Sequence, residues 1–201
     1  QGRNCIAVDP GANQTLLASD IEHAAGLIRD ADVVLAQLES PIATATAALR
    51  VARDAGVFTI LNPAPAPQSA LPHELLDCCD VITPNETEAM ALSGASPGTP
   101  WETIANSIAA TGVRSVCITL GERGVGLLHN GRHTLIPAPA VDAIDTSGAG
   151  DAFNGALAAG LAAGRSLEDA CRFASAYASI QVTRRGTAVA MPCLTEIPFP
   201  L

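Results

Sequence analysis

The stretch DAIDTSGAGDAFNGALAAG, residues 142–160, joins a glycine loop to an alanine-rich helical segment. Gly148 and Gly150 let backbone N–H groups converge without side-chain interference, and the positive end of the helix falls at the same point. This combination predicts an anion site suited to a phosphoryl group. Asp151 stands in the first helical turn, where an ionised carboxylate can accept a proton from an attacking hydroxyl. A glycine turn before an acidic helix start is the plainer alternative for this stretch taken alone.

Two other phosphate-binding loops do not match the sequence. A Walker A loop requires Gly-Lys-Ser/Thr, and the chain contains no lysine. A dinucleotide fingerprint would need glycine at the position of Phe153, and the segment GERGVG (121–126) has its glycine spacing reversed. The sequence therefore disfavours a nicotinamide-dependent dehydrogenase.

Short β-branched segments alternate with helical ones along the first part of the chain. The helical periodicity falls at 43–56 and 100–112, and Gly56 and Gly112 fit C-terminal caps. Such alternation implies right-handed crossovers and a parallel sheet covered on both faces. The expected strands are CIAVD (5–9), DVVLAQL (32–38), VFTILN (57–62), DVITPN (80–85) and RSVCITLG (114–121).

The pattern changes after these strands. The segment 124–138 is typical of an antiparallel hairpin that turns at Asn130-Gly131. Two consecutive helices are expected over about 149–163 and 166–182, divided by Gly164 and capped by Ser166.

Polar residues or glycine follow four of the expected strands: Glu39, Asn62, Asn85 and Gly121. Ligands of open α/β sheets bind beyond the carboxyl ends of the strands. The four positions therefore predict a binding site along one rim of the sheet.

Two of these positions also have local explanations. In TPNETEA (83–89), Asn85 can cap a helix and Glu88 can complete a capping box, a function compatible with Mg²⁺ and phosphate binding by the same residues. In TLGERG (119–124), a backbone that runs along a nucleotide and an ordinary turn are equally consistent with the glycines.

The segment QLESP (37–41) predicts a helix capped by Ser40 with Pro41 at its first position. That account leaves Glu39 unexplained, because it places a charge at the end of an apolar strand. A carboxylate at this position can hydrogen-bond a polyol hydroxyl.

Composition limits the partners and the compartment. The formal net charge of −9 argues against nucleic acid or an anionic membrane as the main partner, and 152–164 is too short for a bilayer, which needs about 20 apolar residues. The six cysteines lack C-x-x-C spacing and the histidines are scattered, which disfavours a zinc site. Buried, reduced thiols in a cytoplasmic protein are the expectation.

Taken together, these segments resemble the ribokinase family, also called the PfkB carbohydrate kinases. DTSGAGDAFNGAL resembles the family's C-terminal signature, TPNETEA its Asn-x-x-Glu motif and ITLGERG its nucleotide loop, and QLESP with LNPAPA points to ribokinase within the family. The resemblance implies a ribokinase-like three-layer α/β/α fold with a mainly parallel sheet, as one kinase domain over 1–201.

The resemblance also implies a function: ATP-dependent phosphorylation of the ribose 5-hydroxyl, with Mg²⁺ and a monovalent cation, usually potassium. Asp151 would be the base in an anion hole near Gly148, made by the Ala149 and Gly150 amides, and Glu39 would touch the sugar. The implied ATP residues are Asn85, Glu88, Thr119, Leu120, Gly121, Glu122, Arg123, Gly124, Gly150 and Ser175. The implied cation residues are Asp145, Ser147, Gln181, Arg184, Gly186 and Ala190.

The sequence departs from the family pattern in three ways. Ser175 stands where His or Asn is frequent near adenine, and Ala190 where a Ser can help to hold the cation. The family's early Asn-x-Asp, sugar-binding Gly-Gly and β-sheet lid have no counterpart, so we expect a C-terminal portion of a kinase with an incomplete sheet. Its exposed strand edge would invite pairing with another chain, for example in a homodimer.

Two alternatives remain open from the sequence. One is a kinase of the same family for another acceptor, such as deoxyribose, fructose, adenosine or another nucleoside. The other is a catalytically silent nucleotide-binding module that needs a complementary chain.

Overall fold

The computed structural model describes residues 9–67 and 69–197, so most of the strand expected at 5–9 lies outside the described residues. The described part contains one six-stranded sheet whose spatial order follows the chain order, β1 to β6. The strands are β1 Val33–Gln37, β2 Phe58–Asn62, β3 Val81–Ile82, β4 Ser115–Thr119, β5 Val125–His129 and β6 Arg132–Ile136. The first four pair in parallel and the last two antiparallel, which confirms a mainly parallel sheet.

Helices connect the parallel strands and cover the sheet. They are α1 Ala18–His23, α2 Ala25–Arg29, α3 Ile42–Asp54, α4 His73–Leu76, α5 Glu86–Ser93, α6 Trp101–Ala109, α7 Ala149–Ala162 and α8 Leu167–Gln181. Helices α1, α2 and α4 were not predicted from the sequence.

Two hydrophobic clusters lie on opposite faces of the sheet, because neighbouring strand residues point to opposite sides. Leu61 belongs to the cluster formed with α3 to α6, and Ile60 belongs to the cluster formed with α7 and α8. Ile82 and Val81 divide in the same way. This alternation confirms the three-layer α/β/α fold.

The antiparallel hairpin turns where the sequence predicted. Asn130 has φ 51° and Gly131 has φ 74°, the positive values that a two-residue turn of this hand requires. At the start of the hairpin, a Cβ on Gly124 would lie 2.0 Å from the Ile136 carbonyl oxygen, so only glycine fits there. The close approach aligns the preceding loop with the end of β4.

The predicted helix caps were right except at α3. Ser166 caps α8 by accepting a hydrogen bond from the Asp169 amide (3.1 Å), and Gly56 and Gly112 follow their helices with positive φ. Ser40 does not cap α3. Pro41 is extended with ψ 135° and is itself the N-cap, so the helix begins one residue later, at Ile42.

The described cysteines are free thiols, buried at Cys78, Cys79, Cys117 and Cys171 and exposed at Cys193. Burial raises the pKa of the Cys79 thiol to about 12, which keeps it protonated and unreactive. Within 9–67 and 69–197, no helix has the length and apolar character that crossing a membrane requires.

Candidate active site

The N-terminus of α7 lies at the strand-end rim of the sheet, and the glycine loop shapes it. Gly148 is the N-cap with φ 78°, and a Cβ there would lie 3.3 Å from the Thr187 Cβ. Nothing lies within 4 Å of the position of a Cβ on Gly150, so that side of the turn is open. Among the hydrogen bonds of the described residues, no protein acceptor takes the amides of Gly148, Gly150 or Asp151. These N–H groups can bind an anion.

The two amides predicted to form the anion hole differ in their hydrogen bonds. The Ala149 amide donates to the Thr146 carbonyl oxygen at 3.2 Å, so it is already used within the turn. The Gly150 amide is open, as is the Asp151 amide, which was not predicted, and anion binding by these amides stays a prediction. The cause of the difference is the tight turn before the helix, which sequence spacing does not reveal.

Asp151 is exposed at this rim, on the side where β1 ends. Nε2 of Gln37 donates to Oδ1 of Asp151 (3.3 Å) and to Oδ1 of Asn62 (3.0 Å). Gln37 therefore links the carboxylate to the sheet and limits its rotation. The carboxylate keeps an oxygen for a proton donor, which is the geometry that a general base requires.

A buried hydrogen-bond chain continues from Asn62 to the helix. Asn62 donates to the Thr83 carbonyl oxygen (3.0 Å), the Thr83 hydroxyl donates to Oδ1 of Asn154 (2.6 Å), and Asn154 donates to the Gly150 carbonyl oxygen (2.9 Å). The side chains of Asn62, Thr83 and Asn154 are at most 6% exposed. Because buried polar groups are costly when unpaired, this chain fixes α7 relative to the ends of β1, β2 and β3.

Glu39 lies two residues beyond Gln37 and is exposed at the same rim. Its carboxylate has no protein hydrogen-bond donor among the described residues, so it can accept a ligand hydroxyl.

The capping box at α5 is present in full. Glu88 accepts from the Asn85 amide and from Asn85 Nδ2, both at 2.8 Å, and Asn85 Oδ1 accepts from the Glu88 amide at 2.9 Å. Burial raises the pKa of the Glu88 carboxyl, and the hydrogen bonds from Asn85 oppose that shift. Local capping accounts for these contacts, and each Glu88 oxygen still has a lone pair for a hydrated Mg²⁺.

The predicted nucleotide loop adjoins this helix. Asn85 and Thr119 form an isolated parallel bridge, in which the Thr119 amide donates to the Pro84 carbonyl oxygen at 3.0 Å. Gly121–Arg123 is a short 3₁₀ turn, Arg123 pairs with Glu86 of α5, and Glu122 is exposed. Leu120 is 3% exposed, so only its backbone can face a ligand.

Ser175 of α8 is 5% exposed, and its carbonyl oxygen accepts from the Ser179 hydroxyl at 2.8 Å. It packs within the helix layer. Contact with adenine through its side chain stays a prediction.

The expected cation residues divide into two groups. Arg184 pairs with Glu196, which lowers the pKa of the Glu196 carboxyl, and Ala190 is buried in a 3₁₀ turn. Asp145, Ser147, Gln181 and Gly186 lie together. Asp145 accepts from the Gly186 and Ser147 amides at 3.0 Å, and these hydrogen bonds lower the pKa of its carboxyl.

The Ser147 and Gly186 carbonyls, two implied cation ligands, both accept hydrogen bonds from the buried Gln181 side chain. These residues do not fit an added potassium ion while Gln181 keeps its place. Among the described residues, no group of three His, Cys, Asp or Glu side chains forms a metal site.

Gln37 and Asn154 were not predicted as site residues. An amide at the end of the apolar segment DVVLAQL was the available signal for Gln37. Asn154 offered none, because a polar residue near the start of a helix is common.

The mainly parallel sheet with helices on both faces defines an α/β protein. At its strand ends, a helix terminus with open amides lies beside a carboxylate, an arrangement that can bind an anion such as a phosphate. A family model described as pfkB family carbohydrate kinase matches residues 1–193. The chain belongs to the pfkB family of carbohydrate kinases.

Several ribokinases are similar to nearly the whole chain. Ribokinase of Staphylococcus aureus is 40% identical over 200 residues, which cover 98% of this chain and 65% of the relative. The structure of Thermotoga maritima ribokinase has a TM-score of 0.86 at 35% identity, covering 98% of this chain and 64% of the other. Arabidopsis thaliana ribokinase complexed with ribose and ATP has a TM-score of 0.86 at 33% identity, covering 98% and 66%. The chain thus spans about 65% of the length of the relative from S. aureus.

Proposed function

We propose that the protein containing this chain is an ATP-dependent sugar kinase that converts D-ribose to ribose 5-phosphate. The observation that supports it most is the Asp151 carboxylate, held by Gln37 beside the open amides of Gly150 and Asp151. Similarity to ribokinases over 98% of the chain supports the choice of ribose.

In the proposed reaction, the sugar hydroxyl oxygen attacks the γ-phosphorus of ATP while its proton passes to Asp151. The bond between the γ-phosphorus and the bridging oxygen breaks, and ADP leaves. The amides at the start of α7 stabilise the charge on the transferred phosphoryl oxygens. Glu39 orients the sugar through a hydroxyl.

ATP would lie along the loop from Thr119 to Gly124, beside Asn85. Mg²⁺ would arrive with the nucleotide, where it neutralises phosphate charge, and Glu88 would contact it through retained water. The proposal assigns no potassium ion to the residues around Asp145, because the Gln181 amide already bridges the Ser147 and Gly186 carbonyl oxygens there.

The proposed setting is the cytoplasm, with sugar and ATP as small-molecule partners. Reduced buried thiols and the net charge of −9 support it and disfavour nucleic acid and membranes as partners. A homodimer is proposed through the open edge of the sheet.

Asp151→Asn tests the proposal directly. Without the base, kcat should fall by about 10² to 10⁴-fold, while ATP affinity stays within about twofold. A coupled ADP assay and calorimetry with ATP-Mg²⁺ measure the two quantities. Asp142→Asn, an exposed change in the same loop, is the matched control. A kcat of Asp151→Asn comparable to that of the wild type would rule out Asp151 as the base.

The same assay with deoxyribose, fructose and adenosine identifies the acceptor. If the chain binds ATP but turns over none of these acceptors, it is a nucleotide-binding module that needs further sequence. Adding in trans the part of a ribokinase relative that this chain does not span would then restore turnover.

A further inference from the structure

Gln181 ends α8 with a side chain that is 0% exposed between two loops. Its Nε2 donates to the Ser147 carbonyl oxygen at 2.8 Å and to the Gly186 carbonyl oxygen at 3.2 Å. Ser147 immediately precedes the N-cap of α7, and Gly186 belongs to the loop after α8. One amide group therefore ties together the two loops beside the proposed phosphoryl site.

The surroundings determine the orientation of this amide. Exchanging the nitrogen and oxygen would place Oε1 against two carbonyl oxygens, which repel it. As placed, Oε1 is buried without a hydrogen-bond partner among the described residues. The pair of hydrogen bonds made by Nε2 therefore outweighs the cost of one unpaired acceptor.

A cation that bridges these two carbonyl oxygens and the amide NH₂ group compete for the same space between them. Asp145 closes this space from the other side, since its two oxygens accept from the Ser147 and Gly186 amides. The Gln181 backbone carbonyl accepts from the Arg184 amide at 3.0 Å. A potassium ion that bridges the Ser147 and Gly186 carbonyl oxygens as Nε2 does would have to displace the amide from the space between them.

We propose that the Gln181 side-chain amide takes the place of a monovalent cation, so that this protein holds its phosphoryl-site loops without potassium. A neutral amide supplies two N–H donors that are always present, whereas a bound ion depends on the salt concentration. The amides of Gly148, Gly150 and Asp151 then keep their positions in any salt. The importance of these amides for phosphoryl transfer rests on the proposed function, whereas the replacement of the ion by Gln181 does not.

Thermal unfolding of the protein in KCl, NaCl and choline chloride at equal ionic strength tests the proposal. The wild-type midpoints should agree within about 1 °C, because no ion binds preferentially to the native state. Gln181→Ala removes the two donors and opens the position. Its midpoint should fall in choline chloride and recover in KCl by about 3 °C or more. Gln14→Ala, an exposed change in the turn Gly11–Thr15, should respond to no salt.

Gln181→Glu provides a second variant of the same size. Its carboxylate would face two carbonyl oxygens, so the variant should unfold at higher temperature in KCl than in choline chloride. If Gln181→Ala does not fold, the comparison of Gln181→Glu with the wild type still tests whether the amide replaces the ion.

Two results would overturn the proposal. A wild-type rise of about 3 °C specific to KCl, or an anomalous thallium(I) peak beside Asp145 in crystals, would show that a cation binds there with Gln181 turned aside. If no variant responded to potassium, the proposal would also be wrong, and Gln181 would be only a structural hydrogen-bond donor. ATP binding, measured by calorimetry in the same salts, judges the proposed function separately from these midpoints.

Discussion

Single side chains at the strand ends decide what the rim of the sheet can do. Gln37 contacts both Asn62 and Asp151, and thereby connects the sheet to the proposed base. An amide that donates to a carboxylate restricts the rotamers that the carboxylate side chain can adopt. Gln37 is thus a positioning residue for Asp151.

Replacing Gln37 by Ala should lower kcat about tenfold with little change in the KM for ATP, because one hydrogen bond to a charged group is lost. Gln37→Glu removes the amide donor and places a second carboxylate beside Asp151, so kcat should fall at least as far as in Gln37→Ala. Steady-state kinetics measures both variants, and a wild-type kcat in both would argue against a positioning function for Gln37.

Asp145 predicts an acid-dependent part of the stability. Hydrogen bonds from the Gly186 and Ser147 amides lower the pKa of its carboxyl below 3.8 in the folded chain. Its contribution is therefore complete above the unfolded pKa and is lost as the pH falls through the lowered folded value. Unfolding midpoints of wild type and Asp145→Asn should differ at pH 7 and converge below pH about 3.8. A constant difference would exclude this titration.

Residue patterns predicted the glycine loop and Asp151, since both are local features of one segment. They could not predict that Ala149 donates to Thr146, because that depends on the exact turn. The Gln37–Asp151 contact joins residues 114 positions apart and the Thr83–Asn154 contact joins residues 71 apart. Such contacts follow from the fold and cannot be predicted from the spacing of residues along the sequence.

At the scale of elements, the capping box fixes the start of α5 beside the proposed nucleotide loop. Asn85 satisfies the Glu88 amide while Glu88 satisfies the Asn85 amide, so the helix begins at a fixed place beside Thr119. The Asn85 side chain bonds to Glu88 through both of its polar atoms, and the backbone at Asn85 adjoins the proposed nucleotide loop.

Two substitutions separate these functions. Asn85→Ala removes the cap and should cost about 1–2 kcal/mol of unfolding free energy, whereas Asn85→Ser keeps an acceptor for the Glu88 amide and should cost only a few tenths. If Asn85 also contacts ATP, both variants should weaken ATP binding by a similar factor. Chemical denaturation and calorimetry with ATP-Mg²⁺ distinguish the outcomes, and wild-type ATP affinity in Asn85→Ser would leave capping as its only function.

Most elements were predictable because their signals are local. β-branched segments predicted the strands, Asn130-Gly131 predicted the hairpin, and Ser166 predicted the start of α8. The start of α3 was predicted one residue too early. Ser-Pro before a helix permits two starting points, and the extended ψ of Pro41 selects the later one. The short helices α1 and α2 have few buried residues, so their periodicity is weak.

At the scale of the whole molecule, β1 is the edge of the described sheet on its N-terminal side. Leu35 of this strand is 37% exposed, and Leu27 of α2 is 81% exposed. Unpaired strand edges with apolar side chains favour association with another chain. This surface is where further sequence or a second copy would pack.

The 201-residue chain should therefore associate as its concentration rises, and Leu35→Lys should weaken the association by at least about tenfold, because lysine on an edge strand opposes pairing. Val189→Lys, at an exposed apolar position in the turn Ala188–Ala190 outside the sheet, is the control. Light scattering over a dilution series measures the shift. A monomer at every concentration would contradict the expectation and remove the basis for the proposed homodimer.

The packing of α7 on β1 has a consequence for biosynthesis. The partner strand leaves the ribosome long before the helix, since the Gln37–Asp151 contact spans 114 residues of sequence. The contact between Gln37 and the proposed base thus forms only once translation has passed the glycine loop and α7 has packed on β1. A nascent chain arrested upstream of residue 142 would contain all six strands of the described sheet but would lack α7, α8 and the hydrophobic cluster that they complete.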